Sequence, residues 1–310
     1  MAKPIIVISC RNNGWILDCI ASDLKKYLSG RILYLPISKR QIILRFKAFI
    51  LLRKNNLIFM HQNLFIEALE SSPRIKRAKS VVFFTHQMSV NETALSKLVH
   101  LRNAKKIIVM SRTIKFFLIS VLGEDFSEKI VVRVGGADLS FFSNKQLNRE
   151  QNTVILVIYF ALRKRPDLIL QTVRANPDFT FILHGRNWKD WIFFNDLSKL
   201  PNFEYHEFNF VAANSLFNRA YTFLSLSDVE GGPLPALEGL SAGLRVIITD
   251  TGFARDLKEI SSSVEVIPIN PTADQIRSAL EKSLTNPPPH SHNIKDLFSY
   301  DKFLSEFYIK

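Results

Sequence analysis

The residues with chemistry in them gather in a few short runs. Glu230 and Glu238 have seven residues between them, and Gly231, Gly232, Pro233, Leu234 and Pro235 open that gap. Proline near the first helical position costs little, because that amide would be unbonded anyway. The glycine pair lets another molecule approach the backbone closely. The amides of Gly232, Leu234 and Ala236 are then expected at a helix start, where aligned peptide dipoles favour an anion. Glu238 follows about one turn later. One economical reading is a phosphate held by the helix start, with a hydroxyl-bearing group beside the second carboxylate; the plain alternative is a helix with two solvated glutamates. Upstream, Arg163, Lys164 and Arg165 stand immediately before Pro166. Such a cluster can neutralise charge that develops on a departing group, or it can be a solvated loop.

These runs need elements to hold them. Short β-branched stretches recur along the first half: Ile5–Ile8, Ile32–Leu35, Leu57–Met60, Val81–Phe84, Ile107–Met110 and Ile130–Val132. The pattern resumes at Val154–Ile158 and continues at 179–183, 203–207, 221–226, 245–248 and 264–267. Near-continuous apolar strands alternating with helical segments indicate a parallel sheet covered on both faces. The fold class is therefore α/β with two doubly wound halves, and the polar stretch Ser143–Thr153 is the expected linker. Two such halves predict a ligand cleft at the carboxyl ends of their strands. Thr85-His86-Gln87 closes the fourth strand, which aims His86 at that cleft. A tail with Leu297, Phe298, Phe303, Leu304 and Phe307 is expected to be a packing helix.

A chain of 310 residues suits two domains of about 150 residues. At 47% apolar residues it can bury a core, which excludes wholesale disorder. No apolar run reaches the roughly 18 to 20 residues of a membrane span, and the first residues read as a strand, not a signal peptide. Two cysteines, Cys10 and Cys19, argue against a disulfide framework and for reduced thiols. Charge is unevenly spread: residues 1–150 carry 25 Lys/Arg against 10 Asp/Glu, and residues 151–310 carry 16 against 18. The first half is thus expected to face something anionic. Within it, Lys39, Arg40, Lys47 and Lys54 interleave with Ile42, Phe46, Phe49 and Ile50. Basic amphipathic helices of that kind lie on anionic membrane surfaces; an ordinary core-facing helix with a solvated basic side is the alternative.

Glu230-Gly231-Gly232-Pro233 through Glu238, followed by Ala242-Gly243, Val246-Ile247 and Thr249-Asp250-Thr251-Gly252, resembles the donor-site segment of family-4 retaining glycosyltransferases. The resemblance spans nearly the whole chain and is most specific from 153 to 259. It implies a GT-B build: two Rossmann-like domains facing a central cleft, with a C-terminal helix crossing back to the first. Residues 1–145 would form the acceptor-binding domain, 153–290 the nucleotide-sugar-binding domain and 291–310 the crossover helix. It further implies a nucleoside-diphosphate sugar as donor, retention of anomeric configuration, and neither metal nor other cofactor. Lys164 matches the family's phosphate-binding lysine. The family's arginine five or six residues earlier is replaced by Ile158 or Tyr159, so Arg163 or Arg165 would substitute. Glu238 would anchor the ribose, while His86 and Glu230 would position the sugar. Gly14, Gly185, Arg186, Gly231, Gly232, Pro233 and Leu234 would line the donor, although the loop after the first strand has a single glycine where the family has two or three. Aromatic residues at Tyr205–Phe210 could stack on the base.

No carboxylate is convincingly positioned as a double-displacement nucleophile, which favours front-face substitution. The implied acceptor is a glycan or lipid-linked glycan in bacterial surface polysaccharide assembly, handled in the cytoplasm at the inner face of the plasma membrane. A sugar-nucleotide epimerase or hydrolase shares this build. A non-enzymatic binder of anionic polymers would explain the basic half, but no nucleic-acid-binding signature is present and no nucleic acid is expected.

Overall fold

A computed structural model of the chain describes residues 5–10, 16–29, 31–35, 56–71, 75, 79–86, 92–142, 149–285 and 294–308. Gly14 and the basic residues Lys39, Arg40, Lys47 and Lys54 lie outside these residues. The chain divides into two compact units. One comprises Met1–Gly136 with Tyr300–Lys310, the other Ala137–Ser299.

In the first unit β1 (Ile5–Cys10), α1 (Ile16–Tyr27), β2 (Arg31–Leu35), β3 (Asn56–Phe59), α2 (Gln62–Ser71) and β4 (Ser80–Phe84) follow one another. They are succeeded by α3 (Glu92–Leu98), β5 (Lys106–Val109), α4 (Arg112–Leu122) and β6 (Ile130–Val132). The strands form one six-stranded sheet in the order β2-β1-β3-β4-β5-β6, all parallel. The apolar runs are continuous because both faces are covered; β4 is buried along its whole length. Leu57, Phe59, Val82, Phe84 and Val109 pack with Leu64, Phe65 and Leu118 of the helices. Each such side chain contributes about 1.5–3 kcal/mol by leaving water. Helix α4 starts where the Ser111 hydroxyl accepts the Ile114 amide at 3.1 Å, one of the unbonded donors of a helix start.

The second unit runs β7 (Thr153–Val157), α5 (Pro166–Ala175), β8 (Thr180–Gly185), α6 (Phe194–Ser198), β9 (Phe203–Glu207), α7 (Phe210–Arg219) and β10 (Thr222–Ser225). It continues with α8 (Leu234–Ser241), β11 (Arg245–Thr249), α9 (Ala254–Ile260), β12 (Val264–Ile267), α10 (Ala273–Thr285) and α11 (Ile294–Leu297). Its sheet is ordered β12-β11-β10-β7-β8-β9, again all parallel. All twelve strands expected from the apolar runs are present. Their wiring differs between the units. The second sheet has the Rossmann order, whereas the first has the flavodoxin-like order with one strand added. In both, the strand order reverses beside the unit's first strand, and ligands of open α/β sheets bind at that reversal. In the second unit the reversal lies between β7 and β10.

The segment after Gly136 packs within the second unit. The Ser241 hydroxyl lies 2.8 Å from the Phe142 carbonyl and 3.2 Å from that of Leu139. The Asp138 carboxylate accepts the Ser140 amide at 3.0 Å, closing a turn. The last helix, α12 (Tyr300–Ser305), belongs to the first unit. There Phe303 and Phe307 are buried edge-on against Phe83, each with centroids 5.8 Å away. Glu306 is held by Lys106 at 2.7 Å and by Arg133. Among the described residues no helix is long and apolar enough to cross a membrane.

Candidate functional site

The loops leaving β7 and β10 meet at the reversal of the second sheet. After β7 the chain makes a single tight turn, Leu162–Lys164. It then places Arg165 in the left-handed region (φ 54°) before Pro166 opens α5. That conformation is unfavourable for a non-glycine residue, and the surroundings hold it: Arg165 reaches Asp228 and Asn270, both at 2.9 Å. The Asp228 amide in turn donates to the Arg163 carbonyl at 2.8 Å. Of the three cations, Arg165 is therefore spent on joining the two loops.

The other two converge on one carboxylate. Lys164 Nζ contacts Glu230 Oε1 directly, and Arg163 Nη1 lies 3.2 Å from Glu230 Oε2. Lys164 and Glu230 are only 6% and 8% exposed. Arg163 also donates to the Val229 carbonyl at 2.7 Å and to the Tyr159 hydroxyl at 2.5 Å. Burial pushes the Glu230 carboxyl upward, but Lys164 and Arg163 outweigh that and hold it below the ordinary carboxylate range. Burial pulls Lys164 below its ordinary value, with Glu230 opposing. Burial also acts to lower Arg163, and Glu230 and Tyr159 more than restore it. The carboxylate is therefore ionised, as a buried charge must be when it is paired.

The backbone of Glu230 is fixed as firmly as its side chain. Its amide donates to Thr251 Oγ1 at 3.0 Å, and the Thr249 hydroxyl donates to the Ser227 carbonyl at 2.6 Å. Gly252 adopts φ +56°, and a Cβ there would come within 2.9 Å of Gly231 backbone atoms. The Thr-Asp-Thr-Gly motif is thus the seat on which the Glu230-Gly231 backbone rests, and only glycine fits its last position.

Gly231, Gly232, Pro233 and Leu234 are all buried and lead into α8. The expectation of three available amides there needs correction. Ala236 donates to the Pro233 carbonyl at 2.8 Å, because the helix closes a turn over its own start. Among the described residues the Gly232 and Leu234 amides have no backbone acceptor. Glu238 lies on α8, half-buried, with no hydrogen bond or ion pair to its carboxylate among the described residues. Burial pushes its pKa up to about 8.

Gly185 ends β8, the strand beside β7, and Arg186 follows it. A Cβ on Gly185 would overlap the Ile158 carbonyl oxygen, so this glycine lets the two strand ends close. Arg186 lies over the Phe208 ring, 4.6 Å from its centroid, and Phe208 stacks on His184 at 4.9 Å. His184 is fully buried. Its Nε2 accepts the Asn209 amide at 2.9 Å, so Nδ1 carries the proton, and burial lowers the imidazole to about 4.

His86 belongs to the first unit, one residue beyond Thr85 at the end of β4. The buried Gln62 clamps both: Oε1 accepts the Thr85 amide at 3.2 Å and Nε2 donates to the His86 carbonyl at 3.1 Å. His86 Nδ1 is 3.0 Å from the Thr85 hydroxyl, and the ring stands edge-on to His61 at 5.9 Å. Sequence reasoning passed over Gln62, Thr251 as an acceptor, and Tyr159 as a partner of Arg163. Only Tyr159 gave a signal, by standing where the resembled family has arginine. Among the described residues no three His, Cys, Asp or Glu side chains could together hold a metal ion.

The family model for glycosyl transferases group 1 matches residues 140–296. No curated protein matches the sequence. Among solved structures, the chain is similar to sucrose-phosphate synthase (tll1590) from Thermosynechococcus elongatus, with 15% identity and a TM-score of 0.77 over 98% of this chain and 97% of that one. It is similar also to Anabaena Alr3699/HepE in complex with UDP-glucose, with 14% identity and a TM-score of 0.71 over 98% and 99% of the two chains. A glycosyltransferase from Rickettsia africae ESF-5 gives 14% identity and a TM-score of 0.65 over 99% and 97%. The shared fold is of the GT-B type.

Proposed function

The chain belongs to the group 1 glycosyl transferases, and from that premise we propose that it transfers a sugar, with retention of configuration, from a uridine-diphosphate sugar to a hydroxyl of a glycan or lipid-linked glycan. The observation that carries this reading is the pair of side-chain cations at the strand-order reversal of the second sheet, the buried Lys164 and the half-buried Arg163. Uridine is suggested by the UDP-glucose complex of Alr3699/HepE.

In this reading Arg163 and Lys164 stabilise the charge that grows on the diphosphate as the glycosidic bond breaks, with the Gly232 and Leu234 amides at the start of α8 adding to it. Two fixed cations supply what a divalent metal would otherwise supply, so the reaction proceeds without one. Glu238 is the ribose anchor. Among the described residues its carboxylate has no partner to give up, and hydroxyl donors arriving beside it would favour the charged form that burial now disfavours. Gly185, Arg186 and Phe208 form the platform for the base. His86 and Glu230 are assigned to the transferred sugar, and Gly14 to the donor-facing loop after β1. The acceptor attacks on the face the diphosphate leaves; trapping a covalent glycosyl-enzyme would overturn that step. The basic first half, including Lys39, Arg40, Lys47 and Lys54, is the proposed contact with an anionic membrane during bacterial surface polysaccharide assembly.

The test is sugar release from a panel of nucleoside-diphosphate sugars labelled in the sugar, with and without glycan acceptors, and with Glu238→Ala as control. Acceptor-dependent transfer lost in the variant supports the reading. Release at the same rate without acceptor would move it to a hydrolase.

A further inference from the structure

Glu230 is engaged on every side. Oε1 contacts Lys164, Oε2 lies 3.2 Å from Arg163, and its amide is bound to Thr251. The second unit therefore contains its own anion exactly where the proposed donor would put one, before any donor arrives. Two cations and one carboxylate leave a single positive charge. A donor diphosphate brings roughly two negative charges, one per phosphate. With the carboxylate still in place, three anionic groups would crowd two cations in a buried setting, where like charges at close range are strongly unfavourable.

We infer that Glu230 is the resident counter-ion of this site, and that the donor's diphosphate displaces its carboxylate from Lys164 and Arg163 on binding. The inference rests on the reading that these two cations meet the diphosphate. The exchange is a side-chain rotation. The Glu230 backbone is pinned by Thr251 and by the close approach of Gly252. Arg163 stays in place as the carboxylate leaves, because the Tyr159 hydroxyl and the Val229 carbonyl hold it independently. The Tyr159 ring also faces both cations, at 5.5 Å from each. Freed from its cations, the carboxylate becomes an acceptor for hydroxyls only once a donor is bound. Affinity is then a difference between two anions competing for one cation pair, which disfavours ligands with less charge than a diphosphate.

Calorimetric titration of the full chain with UDP, uridine and inorganic pyrophosphate tests this. Glu230→Gln removes the competing charge and keeps the shape. UDP and pyrophosphate are expected to bind it at least about tenfold more tightly than the wild type, with uridine unchanged. Equal or weaker UDP binding by a folded Glu230→Gln overturns the exchange. Because that variant leaves Lys164 buried beside a neutral group and can fail to fold, a UDP-bound structure of the wild type gives a second reading. Glu230 beyond hydrogen-bond reach of Lys164 supports the exchange, and an intact contact with phosphate bound overturns it. The donor reading is judged separately by Lys164→Met. If that change leaves UDP affinity untouched, the donor reading fails; if it abolishes UDP binding while Glu230→Gln does not strengthen it, only the exchange fails.

Discussion

The two units share a parallel six-stranded sheet and differ in what fastens the loops at the carboxyl ends of their strands. In the second unit, charge does it: Arg163, Lys164 and Arg165 bind Glu230 and Asp228, and glycines at 185 and 252 allow backbone to lie on backbone. In the first unit, neutral groups do it: the Gln62 amide spans Thr85 and His86. The formal charges run the other way, since the first half of the sequence is strongly basic and the second slightly acidic. Total charge therefore says little about where charge is used. The acidic half sets three of its cations at one point and buries Lys164 there, where low dielectric makes its charge worth more. The basic half includes exposed cations that water and salt screen, such as Lys105.

The comparison can be broken or sharpened by experiment. The largest effect is expected for Lys164→Met, which should lower transfer by about 10³-fold with the melting temperature little changed, because Arg163 still neutralises Glu230. Initial rates at saturating acceptor check it, and a loss under tenfold would undo the emphasis on charge. Gly185→Ala should destabilise the protein by about 3 kcal/mol or more, since no rearrangement short of parting β7 from β8 makes room for the methyl group; urea unfolding measures this. Gln62→Leu leaves the Thr85 amide unpaired and should cost about 1–3 kcal/mol. That cost should be the same at pH 6 and pH 8, as neutral partners require. A strongly pH-dependent cost would erase the contrast between the units.

The smallest effect concerns Glu238. Its folded pKa of about 8 lies above the ordinary 4.5, so the native state binds the extra proton between those values and stability falls as pH rises through them. Glu238→Gln should stay close to the wild type near pH 5 and exceed its melting temperature by several °C at pH 8.5. Scanning calorimetry across that window would show it, and parallel curves would count against a half-buried carboxylate with no partner among the described residues.

Much of the fold was legible in the sequence because a strand buried on both faces must be apolar throughout, and Val154–Val157 or Val81–Phe84 can hardly be anything else. Strand order was not legible. Nothing in Leu57–Phe59 indicates whether its crossover passes to one side of β1 or the other, so the flavodoxin-like wiring of the first sheet had no local signal. At the site, Glu230 and Lys164 were each readable from motif position. Their direct contact was not, since 66 residues separate them in sequence and the meeting depends on β7 lying next to β10. Gly252 could be read as a turn residue, but its role as the surface beneath Gly231 needs three dimensions.

The return of residues from Tyr300 onward to the first unit has a consequence for biosynthesis. The second unit is a continuous insertion, complete in itself once Ser299 has been made, whereas the first waits for its final segment to supply Phe303 and Phe307. In synthesis the whole of the second unit is therefore made before the helix that covers the flank of Phe83 and Gly136.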